Sequence, residues 1–108
     1  MQKKLQASGN GWQLYLSRPI LKLLGYNPKE VLLLITSDNN VLHIEPIADK
    51  NEHPNQLIKN LHKSGGSYGL YLALPLLELM DVNPEEDFVD VNITGNKITL
   101  KKAISQQS

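Results

Sequence analysis

The chain has no cysteine, one phenylalanine, one tryptophan and a formal net charge of zero. Without cysteine there is no disulfide framework and no thiolate metal or redox site, which fits a reducing compartment. The longest apolar run, Val31 to Ile35, falls far short of the roughly 20 residues a membrane-spanning helix needs. Met1-Gln2-Lys3-Lys4 leads into polar residues rather than a signal-peptide apolar region. A soluble, cytoplasmic protein is expected, with no membrane partner. The balanced charge removes the strongly basic footprint typical of nucleic-acid binders and leaves it only locally. His43, His53 and His62 lack ligand spacing, and Asp81, Glu85, Glu86, Asp87 and Asp90 lack the order of a calcium loop. Gly65-Gly66-Ser67 lies between two expected strands, so it is not a phosphate loop opening a helix. No activated nucleophile or acid and base pair stands out. No metal, no cofactor and no enzymatic activity are expected.

What the chain does contain is itself, twice. The segment Leu5 to Ile44 recurs at Leu61 to Leu100 under a gap-free shift of 56 positions, and an internal repeat outranks local motifs as a guide to architecture. The shift superposes Ser8-Gly9 on Ser64-Gly65, Leu14-Tyr15-Leu16 on Leu70-Tyr71-Leu72, Pro19 on Pro75, and Asn27-Pro28 on Asn83-Pro84. Units below about 40 to 60 residues bury too little surface to stand alone without disulfides or metal. The repeats 3–47 and 59–104, joined by a polar linker at 48–58, are therefore expected to share one core in a single domain, 1–108.

Each repeat predicts strand, turn, strand, short helix, loop, strand, turn, strand. Trp12, Leu14 and Leu16 alternate with Gln13, Tyr15 and Ser17, and Tyr68, Leu70 and Leu72 with Gly69, Tyr71 and Ala73, the period of a strand with one buried face. Trp12 and Tyr68 are expected in the core. Ile20, Leu21, Leu23 and Leu24, with Leu76, Leu77, Leu79 and Met80, then take helical spacing. Ser17 is a candidate N-cap, Pro19 suits the first turn and Gly25 the C-cap. Ala73 cannot cap through its side chain, so the second helix is expected to start less sharply. Strands Val31–Thr36 and Val41–Glu45 flank Asp38-Asn39-Asn40, and Phe88–Ile93 and Lys97–Lys101 flank Thr94-Gly95-Asn96, both hairpin signals. Asp49 to Gln56 reads as a flexible linker and Ser105 to Ser108 as a frayed tail.

The halves have diverged. Residues 1–48 carry Lys3, Lys4, Arg18, Lys22 and Lys29 against Glu30, Asp38 and Glu45, a net +2, whereas residues 57–108 set five lysines against six carboxylates, a net −1. Val89, Val91 and Ile93 alternate with Asp90 and Asn92, but the matching Val31-Leu32-Leu33-Leu34-Ile35 is apolar on both faces. Leu32 and Leu34 therefore predict a cover on the outer face, either a subunit or partner contact or the linker or a terminus of the same chain.

Gly9-Asn10-Gly11, Leu14-Tyr15-Leu16, the helix from Ile20 to Gly25, Asn27-Pro28-Lys29-Glu30 and Leu42-His43-Ile44-Glu45-Pro46 resemble the swapped-hairpin domain of AbrB, SpoVT and MazE type regulators and antitoxins. The resemblance covers each repeat nearly end to end. It implies a mainly β fold, a swapped-hairpin barrel of two intertwined ββαββ repeats that forms a pseudo-dimer in one chain. The family commonly has Val-Arg-Ile-Pro on the second strand, its arginine contacting DNA. Here Tyr15 and Tyr71 stand at the arginine positions, and Ser17 and Ala73 at the proline positions.

The resemblance implies a DNA-binding transcriptional regulator acting on a double-stranded operator, or the antitoxin of a toxin pair. Lys3, Lys4, Asn10, Tyr15, Arg18, Lys22, Lys63 and Tyr71 are expected to form the DNA face, with Lys59 adding to the basic surface. Family antitoxins usually bind toxin through a C-terminal tail, and few residues follow Lys102, so a toxin contact would fall to the linker. The alternative is a protein-binding module that has lost DNA, using Leu32, Leu34 and the acidic cluster for a toxin, another partner or self-association.

Overall fold

The computed structural model describes residues 1–104; the tail expected to fray lies outside the described residues. The first repeat supplies β1 (Gln2–Lys3), β2 (Gln6–Ser8), β3 (Gly11–Ser17), α1 (Arg18–Leu24), β4 (Leu32–Asp38) and β5 (Val41–Ile47). The second supplies β6 (Leu57–Lys59), β7 (His62–Ser64), β8 (Ser67–Leu72), α2 (Leu74–Leu79), β9 (Val89–Thr94) and β10 (Lys97–Lys102). They form two antiparallel sheets, one of order β1-β9-β10-β5-β4-β6 and one of order β2-β3-β8-β7. The fold is mainly β.

A pseudo-twofold axis runs through both sheets. In the smaller one Leu14 faces Leu70, and the pairs Trp12–Leu72 and Leu16–Tyr68 on either side exchange under the shift. In the larger one His43 faces Thr99, flanked by Ile98–Ile44 and Leu100–Leu42. The edge strands cross between repeats: Lys3 of β1 pairs with Val89 of β9, and Lys59 of β6 with Leu33 of β4. Neither repeat can complete the six-stranded sheet alone. The inner faces bury Leu14, Leu16, Leu70 and Leu72 against Leu33, Leu42, Ile44, Ile98 and Leu100 in one continuous core. The radius of gyration of 13.5 Å is that of one compact body of this length, about 13 Å.

The helix ends show which local signals act. Ser17 occupies the N-cap of α1 but makes no side-chain cap bond, and Ala73 precedes α2 with nearly the same backbone, φ −71° and ψ 153° against −73° and 161°. The two helices begin at equivalent residues, so the expected softer start of α2 is not found. Proline near each start presets the helical φ, which makes the cap side chain dispensable. The far ends differ by one residue, since α2 stops at Leu79 with Met80 as its C-cap, but the left-handed position is kept. Gly25 closes α1 at φ +77°, and its equivalent Asp81 adopts the same left-handed region at φ +59°.

The linker expectation is corrected. Leu57 and Ile58 belong to β6, and Lys50–Glu52 form a 3-10 turn capped by Asp49, whose Oδ1 accepts from the Asn51 amide at 2.9 Å. Because β5 and β6 lie on opposite sides of β4, the segment between them must cross that strand. Leu34 lies outside the core cluster that takes in its neighbours Leu33 and Ile35, yet it is only 6% exposed. Leu34 is thus covered by its own chain and is not free to act as a partner contact, while Leu32 beside it is half-buried. Among the described residues no helix is long and apolar enough to cross a membrane.

Candidate nucleic-acid interface

The structure does not bring the eight expected DNA-face residues together. It sorts them into a basic cleft, a tyrosine face and scattered positions. The cleft, of about 370 Å³, lies between α1, the loop after it and β7, and collects Arg18, Lys22 and Lys63 with Lys29. Arg18 and Lys22 fall four residues apart, one helical turn, which aims both the same way. Lys29 is set by the Asn27-Pro28 turn: Asn27 Oδ1 accepts from the Lys29 amide at 3.2 Å, and the Asn27 carbonyl accepts from the Val31 amide at 2.9 Å. Lys63 enters from β7, paired with Tyr68. All four cations are exposed.

No acidic side chain lines this cleft. Among the described residues the ion pairs are the amino terminus with Asp90, Lys97 with Glu45 and Lys102 with Asp87, so none of the four cleft cations is neutralised by a bound carboxylate. Its floor is apolar and aromatic. Tyr68 is 6% exposed and Tyr26 is 8% exposed; burial, and then the nearby Glu45 carboxylate, push the Tyr26 phenol up to about 12. Tyr26 stays protonated and donates a 2.6 Å hydrogen bond to the Asn96 carbonyl. Cations of one sign on low-dielectric walls focus the field and favour an anion. Lys29 belonged with this set and was missed, because nothing in sequence spacing puts the turn of Asn27 beside β7.

Tyr15 and Tyr71 lie on the outer face of the smaller sheet, half-buried. Their rings rest on glycines. A methyl group added at Gly69 would sit 3.1 Å from Tyr15 Cε1, and one added at Gly11 would collide with the Tyr71 ring. The Lys59 ammonium stands 5.4 Å from the Tyr71 ring centroid, a cation–π distance. Gln13, between the two rings, leaves its buried Oε1 without a partner among the described residues. Among the residues named on this face only Lys59 carries a charge. Neither a family model, a curated protein nor a solved structure matches this chain.

The remaining candidates are dispersed. Asn10 is exposed in the β2–β3 turn, and Lys3 is half-buried in β1 beside β9. Lys4 is diverted to the second half, where its ammonium donates to the Glu85 carbonyl at 2.7 Å and lies 5.6 Å from the Phe88 ring centroid. The acidic cluster is divided: Asp90 holds the amino terminus, Asp87 holds Lys102 and accepts from the Asn83 amide at 2.8 Å, and Glu78, Asp81 and Glu86 rim a shallow hollow. Among the described residues no group of three histidines or carboxylates is placed to hold a metal ion.

Proposed function

We propose that this chain is a DNA-binding transcriptional regulator of the AbrB and MazE type, acting in the cytoplasm, whose two repeats make a swapped-hairpin barrel in a single chain. The observation that carries the reading is the basic cleft: four cations that make no ion pair among the described residues, around an aromatic floor with no carboxylate in the lining. Duplex affinity comes chiefly from phosphate neutralisation, and here the chain, neutral in total, gathers four cations with no carboxylate in the lining. The crossing of edge strands between repeats supports the swapped arrangement. The same scaffold fits an antitoxin that represses its own operon. A gel-shift series on DNA upstream of its gene, run at rising salt, tests the reading: a specific complex at low salt that weakens steeply with salt is expected, and no specific complex at low salt overturns it.

A second reading, a protein-binding module that has given up DNA, is favoured by the tyrosine face. Tyr15 and Tyr71 lie down on glycines instead of projecting as long cationic side chains would, leaving a flat patch suited to a protein surface. Co-purification of a stoichiometric partner by the wild-type chain, lost in Tyr15→Asp and Tyr71→Asp, is the outcome that selects it.

A further inference from the structure

We infer that this protein holds DNA at one end of its pseudo-twofold axis alone, seating backbone phosphates in the cleft that Arg18, Lys22 and Lys29 of the first repeat form with Lys63 of the second, so that one chain reads a single non-palindromic site in one orientation. The inference rests on the DNA-binding reading above and deepens it.

The pseudo-twofold axis makes a direct comparison available. Under the 56-residue shift Arg18 corresponds to Leu74, Lys22 to Glu78, Lys29 to Glu85 and Lys63 to Ala7. The four cations at one end of the axis become two carboxylates, a leucine and an alanine at the other. The loop that presents Lys29 is nonetheless kept: Asn83 Oδ1 accepts from the Glu85 amide at 3.2 Å, as Asn27 Oδ1 does from Lys29. The backbone that aims the side chains is therefore conserved between the halves while the charge is reversed. Half of the aromatic floor goes as well, since Tyr26 corresponds to Val82 while Tyr68 corresponds to Trp12.

The cations near the second-half loop do not restore the balance, because Lys4 is held at the Glu85 carbonyl and the Phe88 ring and Lys102 is paired with Asp87. A phosphate approaching Glu78 and Glu85 meets like charge, and that repulsion acts over roughly a Debye length, about 8 to 10 Å. In an assembly of two identical subunits a Lys22→Glu change would strike both contacts at once. Encoding the halves separately removes that constraint, and the outcome here is a polar molecule with one attractive and one repulsive end. Four neutralised phosphates predict a slope of log affinity against log salt of about −3 to −4.

The test is selection from a random duplex pool with the full chain, followed by footprinting, stoichiometry and salt titration on the winning site. The expected result is one chain per site, an asymmetric consensus protected on one side, and a fall in slope of about one for each of Lys22→Ala and Lys29→Ala. The triple variant Leu74→Arg, Glu78→Lys, Glu85→Lys should roughly double the slope and shift selection toward a palindrome; these three positions are exposed, and circular dichroism checks the fold. A palindromic wild-type consensus protected on both sides, or two chains per site, overturns the one-sided contact while leaving DNA binding in place. Enrichment of no duplex at all overturns the DNA-binding reading itself, and the one-sided contact with it.

Discussion

The phenol of Tyr26 hydrogen-bonds the carbonyl of Asn96 at 2.6 Å, tying the loop after α1 to the last hairpin turn of the other repeat. The mirror bond cannot form, because the equivalent pair is Val82 and Asn40. This is a one-sided fastener between the halves.

Tyr26→Phe should cost about 1 kcal/mol at neutral pH, the usual net value of such a bond. Folding raises the phenol from 10.0 to about 12, so the folded state holds this proton more tightly than the unfolded state. Its stabilising contribution is complete below pH 10 and is lost as pH rises through about 12. Urea unfolding of wild type and variant between neutral pH and pH 12 should show their difference shrinking across that alkaline window and staying constant below it.

Leu34 and Asp90 occupy equivalent positions and do opposite things: one is buried within its own chain, the other holds the amino terminus at 3.6 Å. Leu34→Ala should cost about 2 to 3 kcal/mol through the cavity it leaves, and Leu34→Asp more, with the association state unchanged by sedimentation. Asp90→Ala removes a partly exposed ion pair and should cost under about 1 kcal/mol.

Asp81 takes the left-handed conformation that Gly25 takes at the equivalent helix end, φ +59° against +77°. A side chain there is strained where glycine is not. Asp81→Gly should stabilise the fold by about 0.5 to 1 kcal/mol, a rise of roughly 3 to 6 °C in Tm for a domain of this size, whereas Gly25→Ala should lower stability by about 1 kcal/mol.

Leu14 and Leu70 face each other on the axis, both fully buried. Each change to alanine should cost about 3 kcal/mol or more. The cross-strand pair is close enough to couple, so the double variant should depart from additivity by at least about 0.5 kcal/mol in a denaturant cycle.

The strand periods, both hairpin turns, the proline-led helices and the Gly25 cap were all legible, because each depends on neighbours a few positions apart. Asn39 and Asn40 do take positive φ, 51° and 66°, as the hairpin signal requires. Strands β1 and β6 were not legible. At two and three residues they carry no period of their own and become strands only because β9 and β4 offer open edges. The apolar outer face at Leu34 was visible as an anomaly, but its burial was decided by the folded chain, where β6 docks along β4. For the candidate site, Arg18, Lys22 and Lys63 could be named as cations and not as neighbours, and Lys29 and the ring positions of Tyr15 and Tyr71 needed the folded chain.

The sequence by itself determined that this protein is one structure written twice, since the 56-residue shift carries the alternation, the turns and the helix starts of each half, and all of these are local. It also carried the divergence in charge. Only the tertiary structure decided where that charge goes. Pairing β3 with β8 and β5 with β10 about one axis brings β7 of the second repeat against α1 of the first, and residues far apart in the chain meet there to form a cleft that is basic on one side, where the equivalent positions on the other carry no cation. Proximity across repeats is set by the register of the sheets and the shared core, which no segment specifies alone.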